Sequence, residues 1–206
     1  MIRRVALLAA LTLTVTAGCA GDGKEPAAAP PPPASPTAAP TAAGAPWYDD
    51  VAPAEAGTTV GARNSTCPLP ITFSVPPKWK VEAVTVPDAR IGNAVIRCEF
   101  DAKPAGHIGF MRAWRIEGAA PTPQATMERF LEAYGTVREP RFRRLKAGSL
   151  DAFEAAWTGD DAPGRAILVD SRSGPVLLTL GAIDDEEFEA MFPAYQLAKG
   201  TAELSE

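Results

Sequence analysis

The stretch "HIGFMRAWRIEGAAPTPQATMERFLEAYG" (residues 107–135) contains the change of periodicity that decides the fold. Its first part, residues 107–116, has the period-2 patterning of a β-strand. In its second part, four apolar side chains recur at the helical spacing i, i+3, i+4 and i+7: Met127, Phe130, Leu131 and Tyr134. Thr122 suits the N-cap of this helix, Pro123 its first position and Gly135 its end. The stretch therefore predicts a strand followed by an amphipathic helix.

Runs with strand patterning lie on both sides of this stretch. They cover residues 71–76, 79–84 and 94–100 before it, and residues 149–157, 165–170 and 176–181 after it. Turn residues such as "SRSGP" (171–175) separate the later runs. Short alternating runs separated by turns are typical of antiparallel strands that follow one another along the chain.

A second helix is predicted to begin after Asp184, with Glu187 as its capping-box partner. Its apolar residues repeat the spacing of the first helix: Phe188, Met191, Phe192 and Tyr195. Proline has no N–H to donate and disfavours helical backbone in the preceding residue, so Pro193 predicts that the helix ends near Phe192.

This order of elements predicts an α+β domain with an antiparallel sheet of about six strands and two amphipathic helices. The order, together with "VPPKW" (75–79) and "AFEAAW" (152–157), resembles the PsbP-like fold and the small LpqN-type lipoproteins of actinobacterial envelopes. The resemblance covers residues 66–197. It implies a binding or accessory protein associated with the envelope, and it supplies no catalytic residue.

The N-terminus has the pattern of an export signal. Arg3 and Arg4 precede a mostly apolar run over residues 5–17, which is typical of a secretory signal peptide. A transmembrane anchor is the less favoured alternative, because the 17 uncharged residues 5–21 reach only the lower limit for spanning a bilayer.

The residues "TAGC" (16–19) resemble the lipobox of bacterial lipoproteins. The resemblance implies cleavage before Cys19, lipidation of its thiol, and attachment to the extracytoplasmic face of the cell membrane through diacylglycerol and palmitate chains. Two acyl chains suffice for stable anchoring. The alternative is cleavage as an ordinary secreted protein.

A linker separates this anchor from the folded domain. Ala and Pro account for 18 of the 27 residues 20–46, which is typical of an extended spacer with polyproline II character. We expect a signal peptide over residues 1–18, a lipidated N-terminus and linker over 19–63, and a globular domain over 64–206. Trp47 and Tyr48 are unusual in a linker, and either dock on the domain or lack a fixed position.

Two further cysteines, Cys67 and Cys98, remain for the domain. Cysteines outside the cytoplasm usually pair, and the alternation of residues 94–100 turns Cys98 inward. The sequence therefore predicts a structural disulfide between them.

Composition and motifs exclude several function classes. Without residues 1–18 the chain has 18 basic and 25 acidic residues, a net charge of −7, which argues against a nucleic-acid binder. His107 is the single histidine, so neither a His-based catalytic site nor a zinc site is predicted. Nucleotide-binding and nucleophile-elbow motifs are absent, and no cofactor is predicted. Asp160 and Asp161 lie in a turn-like stretch and are interpreted as solvated loop residues.

One segment is strongly basic against this acidic background. "REPRFRRLK" (138–146) carries five basic residues: Arg138, Arg141, Arg143, Arg144 and Lys146. A strand here would place charges on both faces, which favours an exposed edge or loop. The cluster is interpreted as a solvated patch or, alternatively, as a contact with anionic lipid headgroups or envelope polymers.

These observations predict a membrane-anchored envelope lipoprotein that acts as a non-enzymatic binding or accessory module for a protein or a lipid-like ligand. A carrier with an apolar cavity between sheet and helices is one alternative. A hydrolase that acts on envelope material through acidic loop residues is another.

Overall fold

The structure is a computed structural model that describes residues 43–205. The predicted signal peptide and Cys19 lie outside these residues. The described part contains strands β1 (Thr58–Val60), β2 (Ile71–Val75), β3 (Lys80–Ala83), β4 (Arg90–Ile91), β5 (Ala94–Asp101), β6 (Gly109–Ile116), β7 (Arg138–Ala147), β8 (Leu150–Thr158), β9 (Pro163–Val169), β10 (Val176–Ala182) and β11 (Glu203–Leu204), and helices α1 (Pro123–Tyr134) and α2 (Asp185–Gly200).

The strands form two antiparallel sheets. The large sheet has eight strands in the order β3-β5-β6-β10-β9-β8-β7, with β4 also paired to β5. The small sheet has the order β1-β2-β11. The prediction of about six strands is therefore wrong in number. The prediction of a single antiparallel sheet is also wrong for β2, which lies at the centre of the small sheet between β1 and the C-terminal β11.

The large sheet is covered on both faces. On one face α1 packs through Met127, Phe130 and Leu131 against a core that includes Trp114 and Leu177. The other face carries α2 and the small sheet, whose buried residues form a second core with those of β5, β6 and β10. The central sheet thus has apolar residues on both faces. The helix α1 buries one face, and α2 with the small sheet buries the other.

The N-caps of both helices are confirmed. Thr122 Oγ1 accepts a hydrogen bond from the Ala125 amide at 3.1 Å, and Asp184 Oδ1 accepts one from the Glu187 amide at 2.8 Å. The Glu187 carboxylate, predicted to complete a capping box, instead lies 3.3 Å from His107 Nδ1.

The predicted end of the second helix near Phe192 is wrong, since α2 continues through Pro193 to Gly200. The residues beyond the proline are buried against the sheet, among them Tyr195, Ala198 and Lys199. Burial of this second half outweighs the hydrogen bond that Pro193 cannot donate. Within residues 43–205, no helix has the length and apolar content needed to cross a bilayer.

Candidate functional site

The predicted disulfide is present and joins the two sheets. Cys67 and Cys98 are bonded with their Cα atoms 5.9 Å apart, and both side chains are buried. Cys98 belongs to β5 of the large sheet, whereas Cys67 lies in the loop that leads into β2. The disulfide therefore holds the loop before β2 against β5 of the large sheet.

A groove of about 680 Å³ lies at this junction. Four arginines line it, and we call it the arginine groove: Arg63, Arg97, Arg115 and Arg172. Its apolar lining is provided by Leu69, Val176 and Leu204, together with prolines 68 and 70. The groove thus combines an apolar floor with a cationic rim.

Four different elements supply the arginines. Arg63 belongs to the disulfide-anchored loop, in which the Leu69 amide donates to the Gly61 carbonyl at 2.9 Å. Arg97 lies where the pairing of β5 with β6 shifts register, and such a bulge re-aims a side chain. Arg115 on β6 pairs with Val176 of β10.

The fourth arginine, Arg172, lies in the turn between β9 and β10. The Ser171 hydroxyl donates to the Gly174 carbonyl at 2.5 Å and fixes this turn. Gly174 has a φ of 104°, a conformation that glycine adopts without a steric penalty. The turn therefore presents Arg172 to the groove in a defined position.

No carboxylate neutralises the arginine groove among the residues that the structure describes. All four arginines are exposed, and none of them forms an ion pair there. Four like charges around one concave surface raise the local concentration of anions. Arginine also binds phosphate and carboxylate groups with two parallel hydrogen bonds.

The basic segment of residues 138–146 behaves differently. It forms β7, the edge strand of the large sheet, and so fits the predicted exposed edge. Three of its five basic residues have acidic partners: Arg138 contacts Asp160 at 2.7 Å, Lys146 contacts Asp151 at 2.8 Å, and Arg143 contacts Asp49 and Glu154. Arg141 and Arg144 remain exposed without an acidic partner among the described residues. The structure therefore does not present the five charges as one free patch.

Arg143 belongs instead to a buried charge cluster between β7, β8 and α2. Its Nε donates to Glu154 Oε2 at 2.6 Å, and its Nη2 donates to Asp49 Oδ1 at 2.7 Å. Burial opposes the charge of Arg143, but the hydrogen bond to Asp49 and the charge of Glu154 outweigh it and raise its pKa. Tyr195 donates to Glu154 Oε1 at 2.9 Å, and Lys199 Nζ lies 3.2 Å from Asp49 Oδ1.

Trp47 and Tyr48 dock on the domain, which decides between the two interpretations of these residues. Tyr48 packs edge-on against Phe192 with ring centroids 5.5 Å apart, and its carbonyl accepts a hydrogen bond from Gln196 at 2.7 Å. The guanidinium of Arg143 lies 4.2 Å from the centre of the Trp47 ring. We call residues 44–51 the docked segment.

Of the remaining sequence candidates, Asp160 lies in an exposed loop. Asp160 accepts hydrogen bonds from Thr136 and Arg138, which lower the pKa of its carboxyl and keep it ionised, so it is unsuited to act as a general acid. Within residues 43–205, no cluster of three or more His, Cys, Asp or Glu side chains is arranged to hold a metal.

The four groove arginines were not predicted from the sequence. They are separated by 34, 18 and 57 positions along the chain, and nothing in their local sequence marks them as a group. The one available signal was indirect, since the predicted disulfide implies that residues near Cys67 and Cys98 lie close together.

The two-sided antiparallel sheet, with one helix on each face and the small sheet beside α2, defines a PsbP-like domain. The solution structure of cyanobacterial PsbP (CyanoP) from Synechocystis sp. PCC 6803 matches with a TM-score of 0.50 at 9% sequence identity, covering 71% of this chain and 91% of that chain. At this identity the likeness shows the fold alone.

The chain belongs to the family described as uncharacterised lipoprotein, whose model matches residues 37–202. No curated protein matches the chain by sequence. The expected lipoprotein with a PsbP-like domain is thereby confirmed, and membership of the family indicates association with the cell envelope.

Proposed function

We propose that the protein is a non-enzymatic accessory lipoprotein of the cell envelope whose domain binds an anionic amphiphile in the arginine groove. The observation that carries this proposal is the set of four arginines, unpaired within the described residues, around an apolar floor. The expected ligand class is a lipid-like molecule with a phosphate in its headgroup.

The chemistry of the groove supports this class of ligand. Its volume of about 680 Å³ lies in the range of small-molecule sites. A headgroup phosphate matches the fork of donors on arginine, and an acyl chain matches the side chains of Leu69, Val176 and Leu204. A purely hydrophilic anion would not cover the apolar side chains of the groove, which would remain exposed to water.

The proposed location follows from the N-terminus. Lipidation of Cys19 would attach the chain to the extracytoplasmic face of the membrane. Residues 20–43, between Cys19 and the docked segment, would span on the order of 75 Å if fully extended as polyproline II. A tether of this reach lets the groove meet amphiphiles of the same membrane or of the adjacent envelope.

Titration with water-soluble short-chain lipids tests the proposal. All strands and helices that the structure describes lie within residues 58–204, so we expect residues 20–206 exported without the lipid to retain the described fold. Isothermal titration calorimetry compares dioctanoyl phosphatidylglycerol, dioctanoyl phosphatidylcholine and glycerol 3-phosphate. We expect the anionic lipid to bind at least tenfold more tightly than either of the other two, because only it offers both a net anionic headgroup and an apolar chain.

Matched variants locate the binding. Arg97, Arg115 and Arg172 are changed together to Gln, and the control changes three exposed cations outside the groove: Lys78, Lys103 and Arg129. At about 1 kcal/mol for each basic group, the groove variant should lose on the order of 100-fold in affinity, and the control should lose far less. Equal losses in both variants, or no preference of the wild type for the anionic lipid, would refute the proposal.

A further inference from the structure

Arg165 of β9 is a buried cation with few partners. Its side chain is only 2% exposed. Among residues 43–205 it forms one hydrogen bond, from Nη1 to the carbonyl of the adjacent Gly164 at 3.0 Å, and its Nε has no partner there. Four aromatic rings surround the guanidinium, with centroids 5.6 to 5.9 Å away: Trp47, Tyr48, Phe188 and Phe192.

The neighbouring charges do not balance this arginine. Arg165 belongs to a buried cluster with two other cations, Arg143 and Lys199. Among the described residues, these two cations form ion pairs with the carboxylates of Asp49 and Glu154. Arg143 and Lys199 hold both carboxylates, so Arg165 has no direct ion pair among the described residues, and the charge of Glu154 acts on it only from a distance. Burial lowers the pKa of Arg165 more than the neighbouring Tyr195 and Glu154 raise it, so the charge is only partly compensated.

A cavity of about 560 Å³ adjoins this unpaired charge. Its charged lining consists of Arg165, Arg141 and Glu139, which leaves one net positive charge. Large rings from the docked segment and from β7 and β8 complete the lining: Trp47, Tyr48, Phe142 and Trp157. Flat aromatic walls around an arginine favour a ligand with a flat apolar body and one anionic group. The cluster already pairs its other cations with carboxylates, so a single carboxylate completes its charge balance.

We propose that this cavity is a second binding site, which takes a small carboxylate with a flat apolar or aromatic body. The carboxylate accepts hydrogen bonds from the guanidinium of Arg165, and the body packs between the rings of Trp47 and Trp157. The docked segment thereby acts as one wall of the site. The proposal is independent of the arginine groove, which has none of these residues in its lining.

The test uses the mature lipidated protein in a neutral detergent and three probes that differ in one feature at a time. Phenylacetate has both the ring and the charge, phenylacetamide has the ring without the charge, and acetate has the charge without the ring. Isothermal titration calorimetry should show phenylacetate binding at least tenfold more tightly than either of the other two.

Two substitutions at Arg165 test the site, and one substitution elsewhere serves as the control. Arg165→Met should abolish the preference for phenylacetate without lowering Tm, because a partly compensated buried cation is replaced by an apolar side chain. Arg165→Lys keeps the charge but loses the paired donors, and should weaken phenylacetate binding. Arg129→Gln, on the exposed face of α1, should leave it unchanged.

Phenylacetate binding that is no tighter than that of phenylacetamide would overturn the proposal, and this comparison needs only the wild type. Unchanged phenylacetate binding by Arg165→Met or Arg165→Lys would overturn it as well. If Arg165→Met does not fold, Arg165→Lys and the three probes still decide the outcome.

Discussion

At the scale of single residues, pairing decides which basic side chains are available for a ligand. Arg143 looks in the sequence like one member of a basic surface patch, yet it is bound by Asp49 and Glu154 and is largely buried. Arg115 has no basic neighbour in its strand except Arg112, yet it faces an open groove and has no carboxylate partner in the part of the chain that the structure describes. The density of charge along the sequence is therefore a poor guide to the free charge on this surface.

Asp49 is expected to hold the docked segment on the domain. Asp49→Asn removes the charge that pairs with Arg143 and Lys199, and should lower the free energy of unfolding by about 1–3 kcal/mol. Urea unfolding monitored by tryptophan fluorescence measures this loss. Asp161→Asn, at an exposed position, is the matched control. Equal stability of the two variants would show that Asp49 contributes nothing to docking.

Tyr195 predicts a specific dependence of stability on alkaline pH. Burial, followed by the charge of Glu154, raises its pKa well above the usual value of 10, so the folded protein keeps the phenol proton. The unfolded chain releases this proton above about pH 10, so it binds fewer protons than the native state and stability falls as pH rises. Tyr195→Phe should make this fall shallower and, by removing a donor to Glu154, cost about 1 kcal/mol near pH 8.

Urea unfolding of the wild type and Tyr195→Phe at pH 8 and pH 10.5 separates the two effects. A parallel loss of stability in both proteins between these pH values would contradict the assignment of a raised pKa to Tyr195.

At the scale of elements, long regular patterns were predictable and short or buried ones were not. Apart from β7, the strands of seven or more residues follow from periodicity, and the start of both helices follows from capping residues. The charges of β7 hid its period, and the sequence predicted only an exposed edge or loop there. The strands β1, β4 and β11 have only two or three residues each, too few to show a period. The second half of α2 was missed because Pro193 is a local signal, whereas the burial that overrides it arises from tertiary packing.

The disulfide is expected to stabilise the fold and to shape the arginine groove. Cys67 and Cys98 are 31 positions apart, and closing such a loop contributes roughly 3–4 kcal/mol in the chain-entropy model. The double variant Cys67→Ala/Cys98→Ala should lose about this much stability, and it should bind dioctanoyl phosphatidylglycerol more weakly because the loop that carries Arg63 is released.

Reduction with dithiothreitol provides the control for this prediction. It should reproduce the loss in the wild type and change nothing in the double variant. A double variant with wild-type stability would exclude a structural role for the bond.

At the scale of the whole molecule, the chain is expected to combine a lipid anchor, a spacer and a binding domain, and the sequence predicts these parts unequally. The lipobox-like "TAGC" and the Ala/Pro-rich linker are contiguous and easily recognised. The arginine groove is assembled from residues between positions 63 and 205, so it exists only after the two sheets are joined. The same holds for the cavity beside Arg165, since residues 45–48 form one of its walls.

Lipidation of Cys19 is the first expectation at this scale. The mature protein should begin at Cys19 and carry diacylglycerol, and Cys19→Ala should either release it into the soluble fraction or leave an uncleaved precursor. Intact mass spectrometry of the membrane fraction distinguishes these forms. An unmodified chain that starts at another residue would contradict the proposed anchor.

The central claim, that an anionic amphiphile occupies the arginine groove, is tested most directly by observing the arginines themselves. Two-dimensional NMR of residues 20–206 records the side-chain Nε–H signals while dioctanoyl phosphatidylglycerol is added. The account predicts saturable shifts at the four groove positions, Arg63, Arg97, Arg115 and Arg172, with little change at Arg141 and Arg144 on the edge strand. Shifts confined to Arg141 and Arg144, or the absence of any saturable shift at the groove arginines, would contradict it.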